Sequence, residues 1–126
     1  MRFMMLVKAD ANYEAGHPPS PALMAAIGQL AQELGPTGAL LEMGGLLPSA
    51  MGARINAAKG QLVVTDGPFA EAKELIGGYA IMQAATKAEA LELGRRFLQV
   101  HIDVMGPGYE GQLEIRQLAD VPPETR

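Results

Sequence analysis

Apolar and polar positions alternate in short blocks along the chain, and each block predicts an element. Phe3, Met5 and Val7 interleave with Met4, Leu6 and Lys8, so a first strand is apolar on both faces until its end. The segment from Ala9 to Pro19 is polar and turn-rich, with Asp10, Asn12, Gly16, Pro18 and Pro19. Ser20 as N-cap and Pro21 at the first helical position then open a helix. Leu23, Ile27, Leu30 and Leu34 give it one apolar stripe, and Gly35-Pro36 stops it. A second strand is predicted from Gly38 to Leu47, with Gly44-Gly45 marking a bulge or a close backbone approach.

Arg54-Ile55-Asn56-Ala57 and Gln61-Leu62-Val63-Val64 flank Ala58-Lys59-Gly60, a hairpin with Gly at its left-handed position. A strand apolar on both faces follows at 79–84. Thr86-Lys87-Ala88-Glu89 is a capping box opening a second helix, with Ala90, Leu93, Phe97 and Val100 on its buried stripe. Gly106-Pro107-Gly108 ends that helix, and 112–118 forms a final strand.

The order is strand, helix, strand, extra hairpin, strand, helix, strand. This is a ferredoxin-like βαββαβ skeleton with an inserted hairpin, an α+β fold. Two helices cover one face of a four-stranded sheet, yet apolar residues occupy both faces. The expectation is therefore a homodimer, two copies closing a dimeric α+β barrel through the uncovered face.

At 126 residues the chain reads as one domain, residues 1–119, followed by a tail at 120–126. It has no cysteine, which removes disulfides, thiolate metal sites and cysteine nucleophiles. A net charge of −4, with no basic block longer than Arg95-Arg96, argues against nucleic acid as a partner. Lys8 and Asp10 interrupt the first apolar run too early for a signal peptide, and no apolar segment approaches the ~18 residues of a membrane span. A cytoplasmic protein without a membrane partner is the expectation.

Thr65-Asp66-Gly67-Pro68-Phe69-Ala70-Glu71-Ala72-Lys73-Glu74 is the most unusual stretch, a charged connection between two apolar strands. Together with Gly77-Gly78-Tyr79, it resembles the DGPF domain of the YCII-related proteins. Phe3-Met4, Leu6-Val7-Lys8, Gly44-Gly45-Leu46 and Glu114-Ile115-Arg116 extend the resemblance over roughly residues 1–118. The resemblance implies a dimeric α+β barrel of the ferredoxin-like kind. Most such proteins have no assigned activity, and many accompany sigma factors of the extracytoplasmic-function type. More distant relatives act on small aromatic or lactone-like molecules, with a His–Asp pair as the proposed centre.

Asp66 is the first catalytic candidate, an acid/base at a strand end; the competing account is an Asp-Gly-Pro turn whose carboxylate bonds nearby backbone N–H groups. Glu71, Lys73 and Glu74 either form solvated ion pairs or line a cleft in which Lys73 holds an anionic substrate. His17, in the loop before the first helix, and His101, near the end of the second, are optional proton carriers. For His101 the helix dipole alone is a sufficient reason. Lys8 and Arg54 complete the substrate-binding candidates; Lys8, Asp10 and Tyr13 follow the first strand near where an inserted loop could close a cleft, and Arg54 and Tyr109 could contribute from elsewhere. No metal-ligand spacing and no phosphate-binding glycine pattern occurs, so neither metal nor cofactor is expected. The reading is a small-molecule-binding protein, with proton transfer of the lyase or isomerase kind as its chemistry. The alternative is a regulatory or partner-binding module without catalysis.

Overall fold

A computed structural model describes residues 1–70 and 74–120. Its elements are β1 (Arg2–Lys8), α1 (Ala11–Glu14), α2 (Pro21–Leu34), β2 (Leu40–Gly45), β3 (Ala53–Ala58), β4 (Gln61–Asp66), β5 (Ile76–Gln83), α3 (Lys87–Met105) and β6 (Leu113–Gln117), with a 3-10 turn at Ser49–Met51. Four strands form an antiparallel sheet in the order β2-β5-β1-β6, which is the ferredoxin-like arrangement. β3 and β4 form a separate two-stranded sheet.

Local signals set the helix ends. Ser20 Oγ accepts from the Leu23 N–H at 3.2 Å, and Pro21 needs no partner for its nitrogen. Thr86 Oγ1 accepts from the Glu89 N–H, while the Glu89 carboxylate accepts from the Ala85 N–H at 2.8 Å. Two details refine the sequence expectation. The Ala9–Pro19 segment holds the short helix α1, which Asp10 caps by accepting from the Tyr13 N–H at 2.7 Å. The irregularity in β2 falls at Leu41 rather than at the glycines, whereas Gly44 takes the other expected alternative, a close approach, since a Cβ there would stand 3.1 Å from the Tyr79 ring.

The pleat divides the sheet. Phe3, Met5, Ala80 and Met82 point towards the helices and join Ala84 and Ala90 in the core. Leu40, Leu93, Phe97, Leu113 and Ile115 pack around them. On the opposite face the register aligns Glu42, Ile81, Met4 and Arg116 in one row and Gly44, Tyr79, Leu6 and Glu114 in the next. No helix of the structure packs there among the described residues. The centre of this face is apolar and its rim is charged.

Candidate functional site

A cavity of about 780 Å³ lies on the helix side of the sheet, beneath α2 and beside the C-terminal half of α3. Its origin is local. Val7 stands opposite Gly78, and Gly78 opposite Gly45, so two of three neighbouring positions put no side chain on the floor. Leu23, Ile27, Leu30 and Leu34 form the roof from α2, and Met5, Met43 and Met82 rise from the sheet. Methionine side chains adapt readily to irregular apolar contacts.

One end of the cavity is polar. His101 is only 7 % exposed, and its Nδ1 lies 2.9 Å from the Phe97 carbonyl one turn earlier. A carbonyl can only accept, so in the neutral ring Nδ1 carries the proton and Nε2 keeps its lone pair. The ring is held between Phe97 and Tyr109, with centroids 4.8 and 5.2 Å away. Burial first, and the Asp10 carboxylate second, push the Tyr109 phenol above its ordinary 10.0, so it stays a neutral donor. Gly111 makes room for that phenol, because a Cβ there would overlap Tyr109 Oη. Tyr13, which lines the cavity, donates to the Leu46 carbonyl, and the exposed His17 lines the cavity too.

The Asp66 segment has a different construction. A Cβ on Gly67 would stand 1.7 Å from the Ser49 carbonyl oxygen, so only glycine fits against the 3-10 turn. The Gly67 N–H donates to the Gly52 carbonyl at 2.9 Å, and the Phe69 N–H donates to Ser49 Oγ at 3.1 Å. Ser49 in turn is held by Glu14, whose carboxylate accepts from both its N–H and its hydroxyl. The Arg54 guanidinium lies over the Phe69 ring, 3.8 Å from its centroid. The segment clamps the base of the β3–β4 hairpin to α1.

Comparison with known proteins agrees with the architecture. The model of the YCII-related domain matches residues 1–104. The chain belongs to the YCII-related domain family. A curated relative, an uncharacterized protein of Rhizobium meliloti (strain 1021), is 32 % identical over 74 residues, which is 59 % of this chain and 55 % of that protein. The chain thus spans about half the length of the curated relative it matches.

In this YCII-related chain the sequence candidates separate into two groups. Lys8, His17 and His101 border the cavity, although the Lys8 ammonium is directed to Glu74 and Glu114, at 3.8 and 3.9 Å. Asp66 and Arg54 sit on the hairpin, exposed and outside the cavity lining; Asp66 is paired across the ladder with Ala53. Among the described residues the cavity lies between the sheet and α2, where glycines leave space. Glu71 and Lys73 fall outside the described residues. Tyr109 joins His101 by ring contact, and Asp10 acts electrostatically on Tyr109. For His101 a signal existed: Leu93, Phe97 and His101 recur every four residues on one stripe. Among the described residues no three His, Asp or Glu side chains gather as a metal site, and no helix is long and apolar enough to cross a membrane.

Proposed function

We propose that this YCII-related protein binds a small, largely apolar molecule in the cavity under α2, with His101 as its proton acceptor. One observation carries the reading: a buried imidazole that lines an apolar cavity has its Nδ1 committed to a carbonyl, which leaves Nε2 as the acceptor. Such a base acts on a ligand proton in a site of low polarity, where hydrogen bonds are strengthened. Tyr109, held neutral, supplies a donor to a ligand oxygen at the same end. Proton abstraction at one ligand atom and O–H donation at another is the chemistry of a lyase or isomerase needing no cofactor. Asp66 is not required in this reading.

Gly45→Leu provides the test. A Cβ at Gly45 meets only Tyr13 Oη at 3.9 Å and the Gly77 carbonyl at 4.0 Å, so a side chain enters the cavity without disturbing the backbone. Compounds from a metabolite library that raise the melting temperature of the wild type are then applied to Gly45→Leu and His101→Phe. Loss of the shift in Gly45→Leu supports the cavity, and its loss in His101→Phe supports the polar contact. Equal shifts in all three proteins refute the site.

A second reading, a partner-binding module, draws on the uncovered sheet face. Met4, Leu6 and Ile81 form an apolar centre that two copies would bury by packing face to face. A homodimer of this kind is compatible with ligand binding, because the cavity lies on the other side of the sheet.

A further inference from the structure

We propose that the β3–β4 hairpin is an arm whose apolar face lies on a second copy of this chain. The proposal extends, and in part rests on, the reading of the uncovered sheet face as an interface between copies.

The register divides the arm into unlike faces. Ile55 stands opposite Val64, Ala57 opposite Leu62 and Ala53 opposite Asp66. One face therefore carries Ala53, Ile55, Ala57, Leu62 and Val64, with Asp66 alone at its base. The other carries Arg54, Asn56, Ala58, Gln61, Val63 and Thr65. A strand pair with this alternation has one face meant for burial. Yet every residue of both strands is exposed, Ile55 at 69 %, Leu62 at 74 % and Val64 at 63 %.

The arm is also built to project. Lys59 and Gly60, with φ of 53° and 75°, form a tight two-residue turn that matches strand twist. The base is fixed by the Gly67–Gly52 and Phe69–Ser49 hydrogen bonds and by Arg54 over Phe69. An isolated two-stranded hairpin is marginal in water, so a rigid arm with one apolar face implies a surface that completes it.

The chain itself carries such a surface. The uncovered face of the four-stranded sheet offers Met4, Leu6, Tyr79 and Ile81 inside a rim of Glu42, Glu114 and Arg116. A single two-fold axis lets each arm cover part of its partner's open face, satisfying both exposed surfaces at once. Burying the exposed Ile55, Leu62 and Val64 and the surface they cover, in both copies, adds to the sheet-face area towards the ~1,600 Å² of a standard stable interface.

The experiment is sedimentation equilibrium on the wild type, on Ile55→Lys/Leu62→Lys and on Val63→Lys. Val63 is 58 % exposed but lies on the polar face, so it controls for charge and exposure. A wild-type dimer is expected, weakened about a hundredfold by the double substitution and little by Val63→Lys. A monomeric wild type overturns both the arm and the sheet-face reading. A dimer that survives Ile55→Lys/Leu62→Lys overturns the arm alone, and equal weakening by Val63→Lys overturns the assignment of its faces. Because the chain has no cysteine, Leu62→Cys and Val63→Cys give a second readout that does not depend on the charged variants folding. Maleimide is expected to react more slowly at position 62 than at 63 in the dimer, and equal rates overturn the proposal.

Discussion

The hairpin base and the cavity are built on opposite principles. At the base, backbone comes so close to backbone that Gly67 is the only residue that fits, and Ser49 and Glu14 lock the contact. In the cavity, glycines leave space: Gly45 and Gly78 withhold side chains from a sheet that α2 nevertheless spans. Crowding produces a compact, recognisable motif, because several neighbouring residues must all be of particular types. Space produces no motif, because its walls come from β1, β2, β5, α2 and α3. The most conspicuous stretch of the sequence forms a tightly packed joint, and the cavity lies where the sequence is quiet.

Gly67→Ala tests the crowded side most severely. The added methyl collides with a main-chain carbonyl that is itself tied down through Ser49 and Glu14. The expected loss is about 3 kcal/mol in urea unfolding, the upper end of overpacking costs. Gly45→Ala, where a Cβ meets only ordinary contacts, is expected to stay within about 0.5 kcal/mol of the wild type. Equal losses at the two positions would erase the distinction between crowding and space.

Ser49→Ala is the next largest effect. It removes the acceptor of the Phe69 N–H and one of the two donors to Glu14, all partly buried. About 1–2 kcal/mol should be lost by the same measurement, and Glu14→Gln should lose less when combined with Ser49→Ala than alone. Additive losses would mean that Glu14 and Ser49 do not act as one clamp.

Much of the fold was legible because its signals are local. Ser20-Pro21, Gly35, the Thr86–Glu89 box and Lys59-Gly60 each specify an end or a turn from adjacent residues, and the element order then fixes the ferredoxin-like sheet. The four residues of α1 are too few to show a helical period, and Asp10 at their head reads equally as a turn residue. The site was less legible for a related reason. Its floor depends on which residues face each other across three strands, and that register is not a local property. His101 shares a stripe with Leu93 and Phe97, but its position near a helix end offered a simpler explanation. Asp66 drew notice because it stands beside Gly67, whose identity the crowding dictates.

A pH titration sharpens the cavity side. Tyr109 is pushed above 10.0 by burial and by Asp10, so the unfolded chain ionises this phenol first as pH rises. The folded state then binds more protons than the unfolded one, and stability falls with pH from about 10.0 upward. Tyrosinate absorbance should show a phenol that titrates later than the ordinary 10.0. Asp10→Asn should bring it partway down, leaving the shift due to burial, and Tyr109→Phe should remove the late phase. A late phase that persists in Tyr109→Phe would overturn its assignment to Tyr109.

The smallest expected effect belongs to the residue that first attracts attention. Asp66 is exposed, ends β4 and lies outside the cavity lining. Asp66→Asn keeps its shape while removing its charge, and stability should change by no more than about 0.5 kcal/mol. Any compound found to stabilise the wild type should stabilise Asp66→Asn to the same extent, whereas His101→Phe should abolish that shift. The paired result separates the two regions directly, since one substitution removes a charge from the joint and the other removes the acceptor from the cavity. If Asp66→Asn lost ligand binding while His101→Phe kept it, the chemistry would belong to the hairpin base, and the space beneath α2 would be only a gap in packing.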